Sequence, residues 1–306
     1  MTHRVLPHSL SHLWFDAVFR LIVALLTVGL PIFAAQEPTA SIQNPLQIVA
    51  AGLETSEDAP FVSASYRFMP GDYVYCQFQI SGYAVLKKEE SEIHKKSLSY
   101  EITPQDEKGV PLTLPVSGAI EEELGSEDKN WLPKRRASFL LPSFIAAGDF
   151  HLHLVVKDLV GKTSAERDLF FHLGGTVVTP SDSLSIQDFH FTRKEDDDEP
   201  LDVPAYAPGD TVYAHFNMIG FQLGAGNEYQ LSYGLTVNRP DGKTYVSEPT
   251  AARLTDKSFY PIKFVPGNLN ITTTRTAARG QYVLVLSVHD LKGVQTYQLK
   301  RTFTIE

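Results

Sequence analysis

His151 and His153 stand two residues apart in an apolar run, Phe150-His151-Leu152-His153-Leu154-Val155-Val156. In a strand that spacing puts both imidazoles on one face and Phe150, Leu152, Leu154 and Val156 on the other. Two carboxylates, Glu166 and Asp168, follow at the same alternate spacing. If Leu159-Val160 is the two-residue turn of a hairpin, Glu166 falls across from His153 and Asp168 across from His151. Two imidazoles and two carboxylates on one patch are the ligand types of a Zn²⁺ site. The same four residues also make ordinary cross-strand pairs on a solvated face, and the sequence assigns no metal.

Other residues offer chemistry of different kinds. The densest charge run is Glu195-Asp196-Asp197-Asp198-Glu199. Carboxylate oxygens suit Ca²⁺, which takes six to eight of them. The run has no glycine-punctuated ligand loop, and consecutive acids on an extended chain point apart, so it reads first as a solvated loop. Lys134-Arg135-Arg136 reads as a charged strand edge, or else as a docking point for an anion or a partner. Tyr73, Tyr75, Tyr213 and Trp131 are the aromatic residues that could build a sugar platform. Cys76 is the only cysteine, which excludes an intramolecular disulfide. It sits at an apolar alternate position and reads as a small buried residue rather than a nucleophile. Gly-x-Ser-x-Gly, His-Glu-x-x-His and phosphate-loop motifs are absent. No catalytic residue and no cofactor is expected.

The elements that carry these residues repeat. Leu46 onward aligns with Leu184 onward for 37 residues without a gap, at an offset of 138. Pro70-Gly71-Asp72 meets Pro208-Gly209-Asp210, and Val74, Tyr75, Phe78 and Gly82 meet Val212, Tyr213, Phe216 and Gly220. Proline presets φ for the second position of a turn, and glycine accepts the positive φ that follows in type II. The next strand alternates, with Val74, Cys76, Phe78 and Ile80 facing inward in one copy and Val212, Ala214, Phe216 and Met218 in the other. Gly148 to Gly161 matches Gly280 to Gly293 at an offset of 132, and Asp158 and Asp290 fall before the turn in each. Two modules follow, 46–173 and 184–306, joined by a linker at 174–183 whose proline and glycines suggest some bending.

Ahead of the modules, residues 1–35 look like an export signal. Arg4 and Arg20 supply positive charge, Leu21 to Leu30 an apolar stretch, and Phe33-Ala34-Ala35 a small-residue end. The apolar run is shorter than the ~20 residues that span a bilayer. Export to the periplasm or the exterior is therefore expected, with an uncleaved N-terminal anchor as the alternative and the only route to the membrane. The chain carries 27 basic and 36 acidic residues, a formal charge of −9. That excess disfavours nucleic acid, whose phosphates need Lys and Arg.

Each module has about seven short strands separated by turn signals and no amphipathic helix, the pattern of an antiparallel sandwich. Gly-x-Tyr/Phe-x-Leu at 148–152 and 280–284 resembles the aromatic corner of immunoglobulin-like folds. Ala205 to Tyr213, Arg239-Pro240-Asp241-Gly242-Lys243 and Gly280 to Leu284 together resemble bacterial immunoglobulin-like and macroglobulin-type domains. The resemblance implies an all-β chain of two tandem antiparallel immunoglobulin-like sandwiches behind a signal segment. The macroglobulin thioester sequence is absent, because Gln77-Phe78 follows Cys76. The expected role is a non-enzymatic interaction or spacer protein of the bacterial envelope or exterior, whose partner is another envelope or extracellular protein. The alternatives are an accessory or inhibitory module on an extracellular enzyme, and a calcium- or glycan-binding module.

Overall fold

The computed structural model describes residues 44–87, 93–125, 127–128, 131–197 and 199–306. The signal segment, Asp198 and residues 88–92 lie outside that range. Among the described residues no helix is long and apolar enough to cross a membrane.

The chain is all-β. The first module contains β1 (Gln47–Glu54), β2 (Arg67–Phe68), β3 (Tyr73–Ser81), β4 (Leu86–Lys87), β5 (His94–Asp106), β6 (Val116–Leu124), β7 (Lys134–Leu140), β8 (Gly148–Asp158) and β9 (Thr163–Leu173). The second contains β10 (Ser185–Thr192), β11 (Ala205–Tyr206), β12 (Thr211–Ile219), β13 (Glu228–Asn238), β14 (Thr244–Lys257), β15 (Phe264–Thr272), β16 (Gly280–Asp290) and β17 (Gln295–Ile305). In each, a three-stranded sheet (β1-β3-β7 or β10-β12-β15) packs on a larger one (β2-β9-β8-β5 with β4 and β6, or β11-β17-β16-β13-β14). Among the described residues all strand pairings are antiparallel except two short parallel ones, β2 with β9 and β11 with β17. These are two tandem immunoglobulin-like sandwiches.

The alternating apolar residues build both cores. Val74, Cys76, Phe78 and Ile80 are fully buried against Leu152, Leu154 and Val156. Val212, Ala214, Phe216 and Met218 do the same against Leu284, Leu286 and Val288. Each Val, Leu, Ile, Phe or Met among them contributes roughly 1.5–3 kcal/mol by leaving water.

Turn chemistry holds the frames in place. Gly71 and Gly209 take φ of +86° and +100°. The carboxylates of Asp72 and Asp210 accept from the backbone N–H of Met69 and Ala207, both at 2.8 Å. At Gly82 and Gly220 a Cβ would stand about 2 Å from the carbonyl oxygens of Pro45 and Ser183, so only glycine fits. A β-bulge breaks the first strand pair of each module at equivalent places, where Ala50 and Asp188 have φ of +44° and +54°. Asp158 and Asp290 are almost fully buried. Asp158 accepts from the N–H of Ala84, Val160 and Gly161, and Asp290 from those of Gln222 and Lys292. Each aspartate thus ties its hairpin turn to the loop after β3 or β12.

Candidate functional site

The β8–β9 hairpin places the predicted His/carboxylate residues in a different register. Asp158 pairs with Thr163, so the turn spans four residues, Leu159 to Lys162, with Lys162 at φ +57°. The two-residue turn at Leu159-Val160 is thereby corrected. Asp158 draws the N–H groups of Val160 and Gly161 onto its own carboxylate, which a two-residue loop leaves no room for. Asp168 consequently faces His153, Phe170 faces His151, and Glu166 faces Val155. His153 Nδ1 lies 2.8 Å from Asp168 Oδ1. His151 Nε2 lies 3.2 Å from Gln105 Oε1, and its ring sits 6.0 Å from that of Phe170. His172, absent from the sequence reading, pairs with Asp149 at 2.5 Å. The result is a face of three histidines, two of them carboxylate-paired, around Phe170, which is 78% exposed. Glu166 is not brought to the two imidazoles. Among the described residues no three His, Cys, Asp or Glu side chains gather as metal ligands.

The acidic run is an exposed turn. Glu195 and Asp196 are exposed, Asp197 Oδ1 accepts from the N–H of Glu199, and Asp198 lies outside the described residues. Within the run, the carboxylate of Asp197 is turned to this local bond.

The basic cluster is spent on neighbours. Lys134 opens β7, an edge strand. Arg135 donates to Glu122 at 2.6 Å, which links the edges of the two sheets. Arg136 pairs with Asp58, lies 3.4 Å from the buried Glu54 and donates to Gln77. The aromatic platform is not assembled: Tyr73 pairs with Leu140 at one end of β3, whereas Trp131 lies near Pro133 beyond the other end. Cys76 is fully buried, and burial, with Glu54 nearby, pushes its thiol up to about 12. It is inert as a nucleophile.

Two arrangements went unread in the sequence. Lys96 has a fully buried side chain, with Nζ 2.6 Å from Glu122 Oε2 and over the rings of Tyr83 (5.3 Å) and Trp131 (5.8 Å). Burial lowers the pKa of Lys96 against the opposing pull of Glu122. Burial also acts to raise the pKa of Glu122, but its bonds to Lys96 and Arg135 outweigh that and hold it low. An open cleft of about 400 Å³ lies alongside, lined by Lys95, Lys96, Glu121, Glu122 and Glu123. Lys95 pairs with Glu123 and Lys96 with Glu122, so most of its charge is neutralised in place.

The second arrangement joins the modules. Tyr260, from the β14–β15 connection, is 2% exposed within the core of the first module. Its hydroxyl donates to Asp106 Oδ2 at 2.9 Å, while Asp106 Oδ1 accepts from the N–H of Lys108 and Val110. Partial burial works to raise the Asp106 pKa, but those bonds and Lys263 outweigh it and hold it below the usual carboxylate range. Separately, Ala146, Ile219 and Phe264 form a small apolar cluster with Val178 of the linker. Gln187 ties the linker further, accepting from Thr179 N–H and donating to the Val177 carbonyl.

No protein-family profile and no curated protein sequence matches the chain. Among solved structures it is similar to the C-terminal domain of the Streptococcus pyogenes antigen I/II-family protein AspA, with 10% identity, 85% of this chain and 100% of that chain covered, and a TM-score of 0.29. The C-terminal domain of the Streptococcus agalactiae AgI/II polypeptide BspA gives 9% identity, 83% and 99% coverage, and a TM-score of 0.26. A family 123 glycoside hydrolase from Clostridium perfringens gives 15% identity and a TM-score of 0.27; 40% of this chain matches 27% of the hydrolase. Overlaps this slight carry no argument about function, and the fold rests on the strand pairing above.

Proposed function

We propose that the chain is an exported, non-enzymatic interaction and spacer protein of the bacterial envelope or exterior. The observation that carries this reading is Tyr260, a side chain of one sandwich buried in the core of the other and hydrogen-bonded to Asp106. A spacer must hold its two ends at a set separation. Withdrawing a buried aromatic ring from such a seat costs on the order of 3 kcal/mol or more, which resists bending at the 174–183 linker. The signal-like residues 1–35 supply the route out of the cytoplasm. What the spacer presents is the β8–β9 face, where exposed Phe170 sits among His151, His153 and His172. An aromatic centre with a polar rim is the make-up of a protein-binding patch.

The test is a pull-down from envelope extract of the source organism with residues 36–306 as bait and Phe170→Asp as the control. One stoichiometric partner, retained by the parent and lost by the variant, is the expected result. A partner that is itself an enzyme would move the role to accessory or inhibitory module. Robust hydrolase activity in the purified chain would overturn the reading.

A further inference from the structure

We propose that His190 and His215 form a binding site for a first-row transition-metal ion of the Zn²⁺/Cu²⁺ class on the three-stranded sheet of the second module. His190 on β10 pairs directly with His215 on β12, and His215 pairs with Asn268 on β15, so one row across the sheet reads His-His-Asn. The two imidazole centroids are 5.7 Å apart with ring planes 29° from parallel. A metal about 2.1 Å from each of two ring nitrogens holds the centroids on the order of 5 Å apart.

The protonation pattern points the same way. His190 Nδ1 lies 2.8 Å from the carbonyl oxygen of Asp188, which only accepts, so Nδ1 carries the proton. In the neutral ring Nε2 then holds a bare lone pair. A backbone carbonyl on one ring nitrogen is the contact that fixes the tautomer of a metal-binding histidine. Both Nε2 atoms, of His190 and of His215, are buried and without a hydrogen-bond partner. Orphaned buried ring nitrogens carry a desolvation cost, and a metal ion uses both at once. Imidazole suits Zn²⁺, Cu²⁺ and Ni²⁺. No third His, Cys, Asp or Glu completes the set among the described residues. The Asn268 amide oxygen and water are therefore the remaining ligands on offer.

The first module supplies an internal control. Its equivalent row is Gly52, Gln77 and Arg136, with Arg136 donating to Gln77. That row has no metal-ligand character, and Phe61 lies over Gly52.

The experiment is calorimetric titration of residues 36–306 with ZnCl₂ or CuSO₄ alone. One equivalent is expected to bind and to raise the melting temperature. His215→Gln and His190→Gln should each weaken binding by at least about tenfold, the loss that even an outer-shell partner of a metal site gives. His153→Gln should leave the affinity unchanged. Asn268→His, at an exposed position, should tighten it by a similar factor. If a histidine variant fails to fold, the Cu²⁺ EPR spectrum of the unaltered chain decides, with hyperfine coupling to two imidazole nitrogens expected. No saturable binding at 100 μM metal (about −5.5 kcal/mol), or binding that survives His215→Gln and falls with His153→Gln, would overturn the proposal.

Discussion

Position for position, the first module carries Phe150, Lys96 and Gln77 where the second carries Tyr282, Tyr229 and His215. Around these the frames coincide, with the same bulge, the same Pro-Gly-Asp turn and the same buried aspartate before the last turn. The corner shows how a frame tolerates a change. The Tyr282 hydroxyl donates to the carbonyl of Ala278 at 2.9 Å, four residues upstream. Phe150 keeps the ring, stacked on Phe171, and lacks the bond. At the end of the first module, buried Lys96 and half-buried Glu122 occupy the place of Tyr229 and Asp256, and Tyr229 meets Phe221 by ring contact. Turns and buried carboxylates set the fold, while faces and ends vary. Differences in binding between the modules therefore belong to those faces and ends.

The largest expected effect tests the shared frame. Asp158→Ala leaves three backbone N–H groups without their acceptor, and Asp290→Ala leaves two. At about 1 kcal/mol for each donor, most of them only half-buried, the first should cost about 3 kcal/mol and the second about 2. Urea denaturation should rank them in that order; the reverse ranking would break the equivalence drawn between the two turns.

Next comes the junction. Tyr260→Ala should cost a comparable ~3 kcal/mol and split a single thermal transition into two, read by calorimetry. The same contact should respond to acid. The folded Asp106 pKa lies below the ordinary aspartate value near 4. Its contribution is therefore present above about pH 4 and lost as pH falls through the lower folded value. Splitting of the transition as pH is lowered from 5 through the folded Asp106 value, with no such pH dependence in Asp106→Asn, is the expected signature.

Smaller effects separate the modules. Tyr282→Phe should cost about 1 kcal/mol, and only in the second module, because only there does the corner hydroxyl have a bond to lose. Lys96→Met should change stability by less than about 1 kcal/mol, because Glu122 is partly exposed and keeps its bond to Arg135, so no unpaired buried charge is left behind. A large loss there would show that the Lys96–Glu122 pair organises its end of the sandwich.

Much of this frame could be read from residues alone. The 138-residue offset made β3 and β12 equivalent, and alternation identified the inward residues of β3, β8, β12 and β16. Local rules suffice for these, because Pro-Gly-Asp and alternate apolar residues act over a few positions. The hairpin register did not follow, since Lys162 and Val294 take φ of +57° and +52° without being glycine or asparagine. The His190–His215 pair was hidden for a related reason. Without the bulge at Asp188, the pairing of Ile186 with Met218 would carry His190 opposite Ala214. Tyr260 lies in the stretch where the two copies are least alike, and its partner Asp106 is 154 residues away. No local pattern encodes a contact of that range.

The most direct test of the spacer account is the distance between the two sandwiches in solution. Spin labels at Glu121→Cys and Thr250→Cys, both exposed positions, would report it by pulsed EPR, since Cys76 is buried and unreactive. A single narrow distance distribution that broadens in Tyr260→Ala is the predicted result. A broad distribution in the parent chain, unchanged by Tyr260→Ala, would contradict the account.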